Sequence, residues 1–435
     1  MTNRLIAALA GANALLSFGH AQPTPVDKPI VIQNARLHTM GPAGVVENGD
    51  VIINDGRIVA VGTDLPAPQG ATVIDGAGKV VTPGLFAPFS EIGLVEYGLD
   101  GEADDSSADD DFPLSAALDA QDAFNPTSTL IAINRAGGVT RALSAPLPGG
   151  KLFGGRAAVV DLSGRIASVT VPQAAQIAAL GYAGASIEGD SRLGAWAVMR
   201  EYLSEARVYA INPRDYKGRS RDNDMNYADL EALGPVVAGR QPLIVYVNSA
   251  TELRNLIRLK TDFSIQVIAL GGGEAWRVAR ELAATNISVI LDPVLNLPSS
   301  YESVAATLAN AARLNAAGVR IAFYNSDAPA HNARLLTQLA GNAVAAGLPY
   351  EAALAALTLN PAAMFGLQDR LGSLEAGKIA DVVVWDGDPL ELSTRPYLVV
   401  IEGKAMSREN RQTRLRDRYK DLTRGPLPFA YRGSD

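Results

Sequence analysis

"PLIVYVNSATELRNLIRLK", Pro242–Lys260, decides the architecture: a strand-length apolar run is followed by Leu253, Leu256 and Ile257 at helical spacing. The pairing then recurs. "IQVIAL" (Ile265–Leu270) leads into "EAWRVARELAAT" (Glu274–Thr285), with Trp276, Ala279, Leu282 and Ala283 on one face. "ISVILDPV" (Ile287–Val294) leads into a helix expected to carry Val304, Leu308, Ala311 and Leu314, and "VRIAFYNS" (Val319–Ser326) into "NARLLTQLAGNAVAAG" (Asn332–Gly347). Such strand–helix units, repeating every ~25 residues, imply a parallel sheet, doubly wound or closed into a barrel. No G-x-G-x-x-G follows an early strand, so a dinucleotide fold lacks its fingerprint and the barrel is favoured. Chemistry in a barrel gathers at the C-terminal strand ends, here Glu91, Asn248, Leu270, Asp292 and Asp327.

The flanks read differently. "GDVIINDGRIVAVG" has two short apolar runs around Asp55-Gly56, a strong hairpin signal, and "ATVIDGAGKVVTPGL" repeats the strand–turn–strand pattern. "LEAGKIADVVVWDGDP" and "RPYLVVIEGKAM" near the other end are again short strands with glycine turns. Two β-rich segments at opposite ends point to one small sheet domain assembled from both. The last stretch, from Ser407, interleaves arginine with acids; it reads as a solvated helix on its own barrel, or as a dock for an acidic partner.

At 435 residues, 48% apolar and 19% charged, the chain is long enough for one large barrel and a smaller appendage. A net charge of −8 argues against nucleic acid as the main partner. Cysteine is absent, which excludes disulfides, thiolate metal sites and a cysteine nucleophile. The first 21 residues read as an export signal: Arg4 is followed by the apolar run "LIAALAGANALLSF" and by "GHA" before Gln22. That run falls short of the ~20 residues a stable membrane span needs. The expectation is an exported protein, periplasmic or secreted. Cleavage would remove His20 and leave His38 and His331.

Several segments resemble the amidohydrolase superfamily, in its imidazolonepropionase-like branch. They are "GKVVTPGL" (Gly78–Leu85), "NPTSTLIAINRAGGVTRAL" (Asn125–Leu143), "GGGEAWRVARELA" (Gly271–Ala283) and "SDAPAHNARLLTQLAGNAVAAGL" (Ser326–Leu348). Most specific is "TLNPAAMFGLQDRLGSLEAGKIADVVVWDGDP" (Thr358–Pro389). The resemblance implies a distorted (β/α)8 TIM barrel with a composite β-sandwich from both ends of the chain. The division expected is a signal peptide at 1–21, the sandwich at 22–82 plus 370–406, the barrel at 83–369 and an Arg-rich C-terminal helix and tail at 407–435. It further implies hydrolysis of non-peptide carbon–nitrogen bonds, in cyclic amides or similar small molecules, at a zinc centre.

The ligands that the resemblance implies are largely replaced. Two histidines are implied after the first strand's "PGL", where Phe89 and Glu91 stand. Further histidines are implied where Tyr246 and Asn248, and then Leu270, are found; only the aspartate after the eighth strand remains, as Asp327. Catalytic zinc takes three protein ligands, mostly imidazole nitrogen, so this set argues against a dinuclear or tight zinc site. Glu91, Asp327 and Asn248 would make an all-oxygen site, better suited to magnesium, calcium or manganese. Zinc lowers the pKa of bound water by roughly eight units, on the order of 11 kcal/mol, whereas a general base alone contributes about 3–5 kcal/mol.

The candidates are therefore Asp327, Glu91 and His331 for acid–base work, with Asp327 and Glu91 as metal candidates and Tyr246 and Asn248 for substrate. Each has a bland reading: Asp327 as a cap for a helix starting near Ala330–Asn332, Glu91 as an ion-pair partner, His331 as a surface residue, Tyr246 and Asn248 as filling. Gly271–Gly273 reads as an anion cradle or a tight turn, and the six carboxylates of Glu102–Asp111 as a calcium collector or a solvated loop. Three functions stay open. They are a hydrolase with a degenerate or metal-free site, a ligand-binding barrel without catalysis, and a partner subunit of a histidine-complete hydrolase; the partners expected are a small-molecule substrate or ligand and a second copy in a homo-oligomer or a related hydrolase subunit.

Overall fold

The computed structural model describes residues 28–97, 101–217 and 225–420; the signal-like start and the end of the Arg-rich tail lie outside them. Sixteen strands form two sheets among the described residues. In chain order they are β1 (Ile30–His38), β2 (Val45–Asn54), β3 (Arg57–Gly62), β4 (Thr72–Asp75), β5 (Val80–Pro83), β6 (Leu85–Ser90), β7 (Val139–Ser144) and β8 (Phe153–Asp161). There follow β9 (Val169–Ala179), β10 (Leu243–Val247), β11 (Val267–Gly271), β12 (Ser288–Leu291), β13 (Ile321–Phe323), β14 (Val382–Trp385), β15 (Pro396–Ile401) and β16 (Lys404–Ala405).

The first sheet runs β16-β15-β14-β5-β1-β2-β3, with β4 beside β1, so segments far apart in the chain build it. Antiparallel pairing of β5 with β14, Val81 opposite Val384, is the seam. Arg141 of β7 fastens this sheet to the barrel: its Nε lies 2.6 Å from Asp381 Oδ2 and its Nη2 3.2 Å from Glu402 Oε1.

The second sheet takes β6 to β13 in sequence order, and β13 comes alongside β6, which leaves the barrel nearly closed. It is parallel except at β8, which is antiparallel to both neighbours. The cause is the link from β7. Residues 145–152 hold two prolines and two glycines, too short a stretch for the dozen or so residues of a parallel crossover, so the chain must turn back. The barrel is thus (β/α)8 in outline, with one reversed strand.

Its helices follow the expected pattern unevenly. Ala250–Phe263 buries Leu253, Leu256, Leu259 and Phe263 against the barrel, and Ser249 caps it by accepting from the Glu252 amide. The segment after β11 is split into a 3₁₀ turn, Ala275–Val278, and a short helix, Ala279–Ala284. The helix expected from Val304 begins only at Asn310, and Val304 is 61% exposed. The Arg-rich segment forms the helix Arg411–Tyr419, capped by Asn410 and packed near the helix Thr129–Ala136 with no buried residue of its own. Among the described residues, no helix is long and apolar enough to cross a membrane.

Candidate functional site

Period-two alternation aims the site. On β10, Val245 and Val247 face the surrounding helices while Ile244 and Tyr246 face the barrel interior; Ile268 and Leu270 on β11, Ile290 on β12, and Ala322 and Tyr324 around β13 do the same. Toward the mouth, the inward layer is aromatic. Phe89 and Tyr324, 5% and 6% exposed, meet edge to face with ring centroids 5.9 Å apart. Leu270 is buried in the same cluster. At Phe89 and Leu270, carbon therefore fills places where the resemblance implies imidazole.

The two described histidines join no group of three side chains that could hold a metal ion. His38 is buried at the end of β1 in the sheet domain, its Nδ1 2.8 Å from Glu351 Oε1. His331 sits on the four-residue helix Pro329–Asn332. Among the described residues, no three of histidine, aspartate and glutamate come together in a group that could hold a metal ion. Zinc does not fit this donor set.

Above the aromatic layer lies a cavity of about 450 Å³. Tyr246, Asn248, Gly271, Asp292, Tyr324 and Ser326 line it from the strand ends, Tyr182 from the start of the helix Gly181–Ile187, and Glu302 and Ser303 from a loop. Asp292 holds two of these loops together. Its Oδ2 accepts from the Ser326 amide at 3.1 Å and hydroxyl at 2.6 Å, and its Oδ1 from the Val294 amide at 3.1 Å. Asn248 accepts from the Gly273 amide at 3.3 Å. Gly271 sits at φ +96°, where a Cβ would come within 2.6 Å of Asn248 Oδ1.

Glu302, 6% exposed, accepts from the Tyr182 amide at 2.9 Å through Oε1, and no described residue donates to its Oε2. Burial pushes its carboxyl above the ordinary range, helped by Glu252, while the Tyr182 amide and Arg192 pull it back. Tyr324 is pushed well above the usual phenol range by burial, with Tyr246 and Asp292 adding to it. Neither phenol hydroxyl, Tyr246 or Tyr324, has a hydrogen-bond partner among the described residues.

The structure thus brings together two of the five sequence candidates, Tyr246 and Asn248. Glu91, Asp327 and His331 do not line the cavity. Glu91 lies just past β6, where burial first and Asp104 second push its carboxyl up to about 7. Asp327 is exposed; its amide donates to Asn325 Oδ1 and its carbonyl accepts from Asn332 Nδ2. It does not cap the next helix either, because Ala328 takes the cap position at φ +53° with no side-chain bond. The Gly271–Gly273 turn is no anion cradle: the Gly272 amide donates to the Val247 carbonyl, Gly273 to Asn248 Oδ1, and the following Glu274 amide to the Asn248 carbonyl. The acidic run lies along neighbouring backbone, with Asp105 donating to the Leu94 carbonyl and Leu147 to that of Ser106.

Sequence reasoning missed Tyr182, Glu302 and Tyr324. Tyr324 was reachable by counting two residues on from inward Ala322. Glu302 carried no local signal, since only the folded loop brings it to the Tyr182 amide.

Residues 245–407 match the amidohydrolase family. The amidohydrolase tasK of Hapsidospora irregularis is 26% identical over 432 residues, covering 87% of this chain and 43% of that protein, so the chain spans less than half of it. An imidazolonepropionase of Acidiphilium cryptum is 26% identical, covering 82% of this chain and 93% of that one. Among solved structures, an amidohydrolase from Thermotoga maritima superposes with a TM-score of 0.78 at 27% identity, over 87% of this chain and all of that one.

Proposed function

We propose that this chain, a member of the amidohydrolase family, uses its barrel mouth to bind a small molecule and not to generate a zinc hydroxide. The lineage is one of hydrolases of non-peptide carbon–nitrogen bonds, as the imidazolonepropionase relative illustrates. The observation that carries the reading is the buried ring of Phe89, packed on Tyr324, which stands where the family pattern places a donor, beneath an open polar cavity. A general base alone leaves roughly 6 kcal/mol or more of the metal's contribution unmatched, so residual hydrolysis would be limited to activated substrates. The site's own groups instead suit recognition: an amide, phenols, serine hydroxyls and two carboxylates around a preformed space.

The test pairs metal analysis with ligand screening. Protein purified without chelators and dialysed should retain no stoichiometric zinc. Cyclic amides and related small molecules should raise its melting temperature without being consumed. Stoichiometric zinc together with chelator-sensitive turnover would overturn the proposal.

A second reading has its own support. The tasK relative joins a segment matching this chain to more than its length again in one polypeptide. On this reading the chain is a separate subunit that accompanies a histidine-complete barrel, and co-expression of the two, followed by light scattering of the purified complex, tests it. Export to the periplasm or beyond, from the signal-like start, is part of the proposal; sequencing the N-terminus of the secreted fraction checks it.

A further inference from the structure

We infer that the barrel-mouth cavity selects a small organic cation, an ammonium or amidinium group carried on a compact body, seated between Glu302, Asp292 and the tyrosine rings. The inference rests on the small-molecule reading above and adds the ligand's charge.

The lining has a one-sided charge. It includes Asp292 and Glu302 and no lysine, arginine or histidine among the described residues. Arg192, the cation that acts on Glu302, is held by another carboxylate: its Nη1 lies 3.4 Å from Glu252 Oε1, and Glu252 also accepts from Trp196 Nε1. An anionic ligand would meet repulsion with no basic group to receive it.

Glu302 is the group that asks for a partner. It is more than nine-tenths buried and spends Oε1 on the Tyr182 amide, which leaves Oε2 with no protein donor among the described residues. That oxygen is accessible from the cavity, where a bound N–H donor reaches it with a charge-assisted bond. Asp292 is different: three protein donors already occupy it, so it contributes charge more than bonding. Tyr182, Tyr246 and Tyr324 add ring faces and edges, a lining that favours organic cations over hydrated metal ions. A hard divalent ion would want six or more oxygens, and no qualifying group of carboxylates is present among the described residues.

The experiment compares three probes of one shape, benzylammonium, benzyl alcohol and benzoate, by calorimetric titration of the full chain. Benzylammonium should bind about tenfold or more tighter than the alcohol, and benzoate should not bind. Glu302→Gln keeps an acceptor for the Tyr182 amide while removing the charge, so it should weaken the ammonium by about tenfold or more, to near the alcohol's affinity. Asp292→Asn is the second variant, expected to weaken the ammonium less than Glu302→Gln does. If alcohol and ammonium bind equally, or benzoate binds best, the cation assignment falls and the small-molecule reading stands. If none of the three binds, both fall.

Discussion

Phe89 meets Tyr324 edge to face, 5.9 Å between centroids, and the pair is packed core at a place where the resemblance implies a metal ligand. Phe89 follows "TPGL" on the first barrel strand and Tyr324 follows the eighth, so the contact sits where β13 approaches β6. Phe89→Ala should lower unfolding free energy by about 3–5 kcal/mol, the usual cost of removing a buried ring. Urea denaturation checks the value. Phe89→His is the sharper variant: one imidazole in a cluster with Leu270 and Tyr246 completes no ligand set, so zinc should still wash out on dialysis. Retention of one zinc per chain would contradict the packed-core account.

The seam between barrel and sheet domain depends on Arg141. Burial alone would lower its pKa, but Asp381, Asp161 and Glu402 outweigh that and keep the guanidinium charged. Removing one partner leaves a buried charge poorly compensated. Asp381→Ala should therefore cost about 3–5 kcal/mol, while replacing both residues with apolar ones of similar volume should recover most of the loss. Comparing the two variants by denaturant unfolding separates the pair's worth from the penalty of breaking it.

Glu91 makes stability depend on pH in an unusual direction. Its folded-state pKa of about 7 lies above the ordinary 4.5, so between those values the folded chain holds a proton that the unfolded chain releases. Stability contributed by this group is full below the lower value and falls as pH rises through the window. Above it the penalty is at most about 3 kcal/mol, because partial solvent access screens the group. Glu91→Gln cannot ionise and should flatten the profile between mildly acidic and mildly alkaline pH, gaining stability over the parent at the alkaline end. Melting temperatures across that range check it; an unchanged profile would mean that Glu91 is solvated.

Particular residues show how far the sequence could be read. Ile244, Tyr246 and Asn248 share a face because side chains alternate along a strand, a rule that needs no tertiary information. The two-ended sheet was legible in the same way, from short apolar runs around Asp55-Gly56 and Gly377. The reversal at β8 was harder, since it follows from the shortness of 145–152 and not from any apolar period. Val304 and Leu308 have helical spacing but are exposed, because the loop that carries them turns to place Glu302 and Ser303 at the cavity. The resemblance points to Asp327, which is exposed beside the left-handed turn at Ala328 and is not among the residues lining the cavity.

Gly271 provides the last test, because two effects of one substitution can be told apart there. At φ +96° any side chain strains the backbone, by about 1–2 kcal/mol. A Cβ would also stand 2.6 Å from Asn248 Oδ1 and 3.3 Å from the Tyr246 ring, pushing both cavity-lining residues from their places. Gly70, at φ +77° with nothing within 4 Å, carries the strain without the intrusion, so Gly70→Ala is the control. Both variants should lose stability, but only Gly271→Ala should lose binding of benzylammonium, by about tenfold or more, in the same titration. Equal binding by the two variants would detach the Asn248–Tyr246 corner from the ligand site.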